Sequence, residues 1–123
     1  MANIVIAEDA PHMLRLLEMT LRKKNHQWTS VRSGDAALET IRTTKPDAAI
    51  LDIMMPGMDG FAVLQELKKN PETANTPVII LTALGHTITQ QQATECGASA
   101  FLTKPFSPTE LLATIDRITS KTP

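Results

Sequence analysis

Five reactive side chains stand at matching places along the chain. Glu8 and Asp9 follow the apolar residues 4–7, and Asp52 follows residues 48–51. Thr82 follows residues 78–81, and Lys104 stands just past residues 100–102. Three carboxylates packed together repel one another, and their pKa values rise unless a cation neutralises them. A hard divalent cation with oxygen ligands resolves that conflict, and Mg2+ suits it because it keeps several waters and takes one or two carboxylates. A carboxylate beside Mg2+ can attack phosphorus and form an aspartyl-phosphate. The three phosphoryl oxygens would then be met by Mg2+, by the Lys104 ammonium, and by the Thr82 hydroxyl with a nearby backbone N–H.

The elements that position these groups can be read from apolar patterning. The runs at residues 4–7, 48–51 and 78–81 are short and almost wholly apolar, which suits strands buried on both faces of a parallel sheet. Weaker runs at 28–31 and 100–102 complete a set of five. Between them lie helical patterns. Met13, Leu16, Leu17, Thr20 and Leu21 form one face of the first, and Arg15, Glu18 and Arg22 can pair along another. Ser33 is a predicted N-cap for a second helix carrying Ala37, Leu38 and Ile41, and Asp59 for a third carrying Phe61, Leu64 and Leu67. A fourth opens near Thr87-Ile88-Thr89-Gln90 and is poor in strong helix formers. A fifth opens at Ser107-Pro108-Thr109-Glu110 and carries Leu111, Leu112, Ile115 and Ile118. Strand–helix alternation of this kind builds an α/β fold, a parallel sheet with right-handed crossovers and helices on both faces. All strand C-termini then share one edge, where ligands bind.

Composition narrows the function further. The chain has 123 residues, the size of one domain spanning 1–123, with 42% apolar and 20% charged residues. Twelve Lys and Arg against thirteen Asp and Glu leave a net charge of −1, without the basic excess of a nucleic-acid binder. Trp28, Phe61, Phe101 and Phe106 are the only aromatics besides histidine, too few for a base-stacking platform. No apolar run approaches the roughly 20 residues that span a bilayer, and residues 1–4 do not look like a signal peptide. One cysteine, Cys96, excludes an internal disulfide and fits a cytoplasmic protein. The three histidines do not cluster by spacing, so no zinc site is expected.

Four segments carry a resemblance: residues 4–9, 51–60 (LDIMMPGMDG), 77–83 (PVIILTA) and 97–106 (GASAFLTKPF). In order, with Asp9, Asp52, Thr82 and Lys104 separated by 43, 30 and 22 residues, they resemble the receiver domain of two-component response regulators, the chemotaxis-regulator-like phospho-acceptor domain. The resemblance covers about residues 3 to 119. It implies a flavodoxin-like (βα)5 fold with sheet order 2-1-3-4-5, which sets strand three beside strand one and Asp52 beside Asp9. It implies that Asp52 is the phospho-acceptor, that Asp9, Asp52 and the Met54 carbonyl bind Mg2+ with Glu8 helping through water, and that Thr82 and Lys104 bind the phosphoryl group. It implies a cis Lys104–Pro105 bond. Thr82 and Phe101 would carry the switch, Phe101 without the hydroxyl of the more frequent Tyr. The response would run through the fourth helix, fifth strand and fifth helix, about residues 86 to 119, toward a downstream protein target or a phosphorylation-dependent homodimer. The phosphoryl donor would be a phosphohistidine on a sensor histidine kinase or phosphotransfer protein, docking on Met13, Leu14, Pro105 and Phe106. Met13 fits the core equally well, and Leu14 falls off that helix's apolar face.

Competing readings are weaker. Haloacid-dehalogenase-like phosphatases also use a strand-end Asp, Mg2+, Thr or Ser, and Lys. They carry a second Asp two residues on, where this chain has Met54. No Gly-rich nucleotide-binding pattern occurs among the five glycines. A degenerate receiver would not keep the whole acidic set with Thr82 and Lys104. Met54 and Leu84 would flank the water that attacks the acyl phosphate, and their apolar bulk predicts slow self-dephosphorylation. Taken singly, Gly57 and Gly60 suit loop geometry, Gly97 a left-handed helix end, Cys96 a partly buried inert site, and Met54, Met55 and Met58 packing. The chain reads as a stand-alone regulator or as a receiver cut from a longer protein.

Overall fold

A computed structural model describes residues 2–83, 92 and 95–119. Its elements in order are β1 (Asn3–Ala7), α1 (Pro11–Arg22), β2 (Gln27–Val31), α2 (Gly34–Thr44), β3 (Ala48–Asp52), α3 (Gly60–Lys69), β4 (Val78–Thr82), β5 (Ala100–Thr103) and α4 (Pro108–Thr119). The helix expected near Thr87, and Leu84 with it, lie outside the described residues. The helix labelled α4 is the fifth of the expected helical segments.

The five strands form one parallel sheet in the order β2-β1-β3-β4-β5. Strand alternation splits the core into two layers. Ile4, Ile6, Ile50, Ile79, Leu81 and Leu102 face α1 and α4, where Leu17, Leu21, Leu111 and Ile115 are buried. Val5, Ala7, Leu51, Val78 and Ile80 face α2 and α3, where Ile41, Val63, Leu64 and Leu67 are buried. β3 and β4 are buried along their whole length, as their unbroken apolar runs require.

The helix starts are built as their sequences predict. Ser33 Oγ accepts the Ala36 N–H (3.2 Å), Asp59 Oδ1 the Ala62 N–H (2.8 Å) and Ser107 Oγ the Glu110 N–H (3.2 Å). Gly97 takes the expected positive φ, +96°. Three expectations fail on α1 and beyond. Leu16 is 43% exposed and leaves the core face, while Leu14 packs partly buried against it. Glu18 does not pair along the helix but accepts the Trp28 indole N–H (3.1 Å) and the Ser30 hydroxyl (3.0 Å) of β2. Met54 is 63% exposed and is no packing residue, whereas Met55 is buried. The loop before β4 holds a group that polarity alone did not flag. The buried Thr73 hydroxyl donates to the Leu67 carbonyl (2.7 Å) and closes the end of α3.

Candidate functional site

The order of the sheet decides the site. β1 lies between β2 and β3, with Ala7 opposite Leu51, so the residues leaving β1 meet the end of β3. Carboxylate oxygens of Glu8, Asp9 and Asp52 all lie within 4.8 Å of one another. β4 lies on the other side of β3 and ends in the buried Thr82. Lys104 reaches in from beyond β5, and its own N–H donates to the Thr82 carbonyl (2.9 Å). The Lys104–Pro105 peptide is cis.

Adjacent residues Glu8 and Asp9 have opposite environments. Glu8 is 1% exposed, while Asp9 is open to solvent. Glu8 Oε2 accepts the Ala10 N–H (3.1 Å), and Glu8 Oε1 stands 2.7 Å from Lys104 Nζ, close enough for an ion pair though not aligned as a hydrogen bond. Lys104 Nζ donates to Asp52 Oδ2 at 3.0 Å, and the Met54 N–H reaches Asp52 Oδ1 at 3.3 Å. One ammonium thus serves two buried carboxylates.

Burial pushes the Glu8 carboxyl above its ordinary value, and the Asp52 charge adds to that; Lys104 and the Ala10 amide offset only part. Burial alone would lower Lys104, but its hydrogen bond to Asp52, its close contact with Glu8 and the charges of both outweigh it, so its pKa is raised. Lys104 is therefore a firmly held cation at neutral pH.

A set of three carboxylates against one ammonium leaves room for further positive charge. Oxygens this close fit around a single hard cation, whose ligands lie about 2.0–2.1 Å from it when it is Mg2+. The exposed Asp9 keeps one side open for water. Asp9, Ile53, Met54, Met55, Pro56 and Asp59 line a shallow hollow there.

The sequence profile of the response regulator receiver domain matches residues 4–116. The chain belongs to the response regulator receiver family. It is 39% identical over 118 residues to the response regulator PleD of Caulobacter vibrioides, covering 96% of this chain but only 26% of PleD. It is 36% identical to protein PilH of Pseudomonas aeruginosa, covering 96% of this chain and 98% of PilH. The receiver domain of a sensor histidine kinase from Pseudomonas aeruginosa, solved with a magnesium ion coordinated in its active-site cleft, superposes with a TM-score of 0.89 at 26% identity, covering 96% of this chain and 97% of that one.

The other sequence-predicted residues fall in two places. Phe101 is partly buried and packs on the core layer under α2 and α3. Met13, Pro105 and Phe106 line an apolar groove with Leu16, Thr20 and Pro108. Leu14 is not in that groove; Leu16, assigned to the core face from spacing, is. The shift follows from α1 presenting Met13, Leu17, Thr20 and Leu21 to the sheet, which turns Leu16 to the edge.

Proposed function

We propose that this receiver accepts a phosphoryl group on Asp52 in a Mg2+-dependent reaction, as a single domain over residues 1–123. Lys104 Nζ lying against both Glu8 and Asp52, where β1 and β3 deliver their carboxylates, carries this reading. Asp9, Asp52 and the Met54 carbonyl would hold the metal, with Glu8 acting through water and through Lys104. When bound, Mg2+ supplies positive charge that offsets the carboxylates and the phosphoryl oxygens. An Asp52 carboxylate oxygen attacks phosphorus, the P–N bond of the phosphohistidine breaks, and its electron pair returns to the donor imidazole. Lys104 turns its ammonium from Asp52 to a phosphoryl oxygen, and the Thr82 hydroxyl donates to another.

The donor is a sensor histidine kinase or phosphotransfer protein, docking at Met13, Leu14, Pro105 and Phe106, with Leu16 added by the groove. The output passes through Thr82 and Phe101 to a protein-binding surface, which serves a downstream target or a second copy. The setting is cytoplasmic; no described helix is long and apolar enough to cross a membrane. The receiver also takes phosphate from small donors and loses it slowly, because the exposed Met54 offers no polar group to orient water. The Leu84 half of that argument lies outside the described residues.

The test is incubation with a small phosphodonor and Mg2+, followed by intact mass. The wild type gains one phosphate and Asp52→Asn gains none. Equal labelling of the variant, or turnover of the donor without any gain in mass, overturns the reading.

A further inference from the structure

The junction between β2 and α2 brings no reactive group to the site, yet it holds the loop that leaves the acceptor strand. Gly34 opens α2, and its N–H donates to the Pro56 carbonyl at 3.2 Å. A Cβ on Gly34 would overlap the Met58 carbonyl oxygen and stand 2.6 Å from the Met58 carbonyl carbon and 2.7 Å from Met58 Cβ. Real Cβ atoms essentially never come within 3.0 Å of such neighbours, and two of these three are backbone. Between them, Gly57 has φ +77°, and the place of its missing Cβ is taken by Asp35 Oδ2. At the loop's other end the Gly60 N–H donates to the Ile53 carbonyl at 2.9 Å. Residues 53–59 are therefore held between α2 and the end of β3, and they form most of the hollow beside Asp9.

We infer that Gly34 is a positioning residue for the metal site. Its bare backbone lets α2 seat residues 56–58, and that seat sets the Met54 backbone two residues after Asp52. α2 is itself fixed by Ala37 and Ile41, both fully buried. A methyl group at position 34 therefore displaces the loop rather than the helix. Magnesium demands near-ideal octahedral geometry, so a displaced carbonyl is a poor ligand. This inference rests on the reading of Asp9, Asp52 and Met54 as the metal-binding set.

The test compares Gly34→Ala with Gly97→Ala. Gly97 has φ +96° and lies before β5, at the opposite edge of the sheet, so an alanine there strains the fold without touching the loop. Calorimetric Mg2+ titration is expected to show Gly34→Ala weakened about tenfold, the scale seen when residues supporting metal ligands are changed. The metal-free variant should also show shifted amide resonances at Met54, Met55, Gly57 and Met58. Gly97→Ala should lose thermal stability and keep its Mg2+ affinity. Unchanged affinity in a folded Gly34→Ala overturns the inference. Should Gly34→Ala not fold, Gly57→Ala is read alone and with Asp35→Ala, which clears the space beside it. Affinity lost in the first and partly regained in the second supports the loop seat, and no regain overturns it. A wild type that binds no Mg2+ in the same titration instead removes the metal-site reading itself.

Discussion

The two ends of β1 bury ionisable groups by opposite means. At the C-terminal end, Glu8 and Asp52 are taken from water and share the charged Lys104. At the N-terminal end, His26 is equally buried, and its Nδ1 accepts the Ala2 N–H at 3.0 Å. A nitrogen that accepts from an N–H carries no proton, so this imidazole is neutral. Burial lowers its pKa, Lys24 adds to that, and Asp116 on α4 opposes them. Its Nε2 is buried without a hydrogen-bond partner among the described residues. A structural end therefore avoids charge. The site end retains it, because charge is what would bind a metal and a phosphoryl group.

Acid separates the two ends. His26 has its folded pKa below the ordinary 6.5, so the unfolded chain binds the proton more readily. Its contribution to stability is complete above pH 6.5 and is lost as the pH falls below that value. Glu8 has its folded pKa above 4.5, so its burial costs stability at neutral pH, and that cost disappears as the pH falls through the raised value.

The largest expected effect is at the site. Lys104→Met leaves two buried carboxylates without their cation and should destabilise the metal-free protein by about 2 kcal/mol. That is less than a fully enclosed pair would lose, because Asp9 opens the site to water. Urea unfolding at neutral pH in the presence of a chelator measures it, and a variant as stable as the wild type would mean that water already solvates Glu8 and Asp52. Next is the pH response of His26. As the pH falls below 6.5 the wild type should lose stability that His26→Gln keeps, since Gln can accept the Ala2 N–H without titrating. Parallel curves for the two proteins would show that His26 is not held neutral. The smallest effect is Glu8→Gln, expected to stay within about 1 kcal/mol, because Lys104 keeps Asp52 as its partner and one desolvated charge is gone. A loss as large as that of Lys104→Met would make Glu8, rather than Asp52, the main anchor of the lysine.

Much of the site was legible because it obeys local rules. Strand-end positions are marked by the apolar runs before them, so Asp52, Thr82 and Lys104 could be named without a fold. The caps Ser33, Asp59 and Ser107 depend on atoms within three residues and were correctly placed. Glu18, Leu16 and His26 depart from what local pattern predicts for a shared reason. Helical spacing defines a stripe but not how the helix is turned against a sheet it has not yet met. An i, i+4 charge pattern likewise competes with partners that only packing supplies. Here Trp28 and Ser30 of the neighbouring strand took Glu18.

By itself the sequence determined which groups are available and that they lie at one edge of a parallel sheet. Alternating short apolar runs and amphipathic helices admit little else, and backbone direction then places every strand end together. Only the tertiary structure decided that Glu8 is buried on Lys104 while Asp9, one residue later, faces water. Only there does Gly34 meet Met58 across 24 residues of chain. Both facts are close approaches between segments distant in sequence. Such approaches are set by how the helices and loops pack on the sheet, where a single methyl group is already too large, and no local pattern records them.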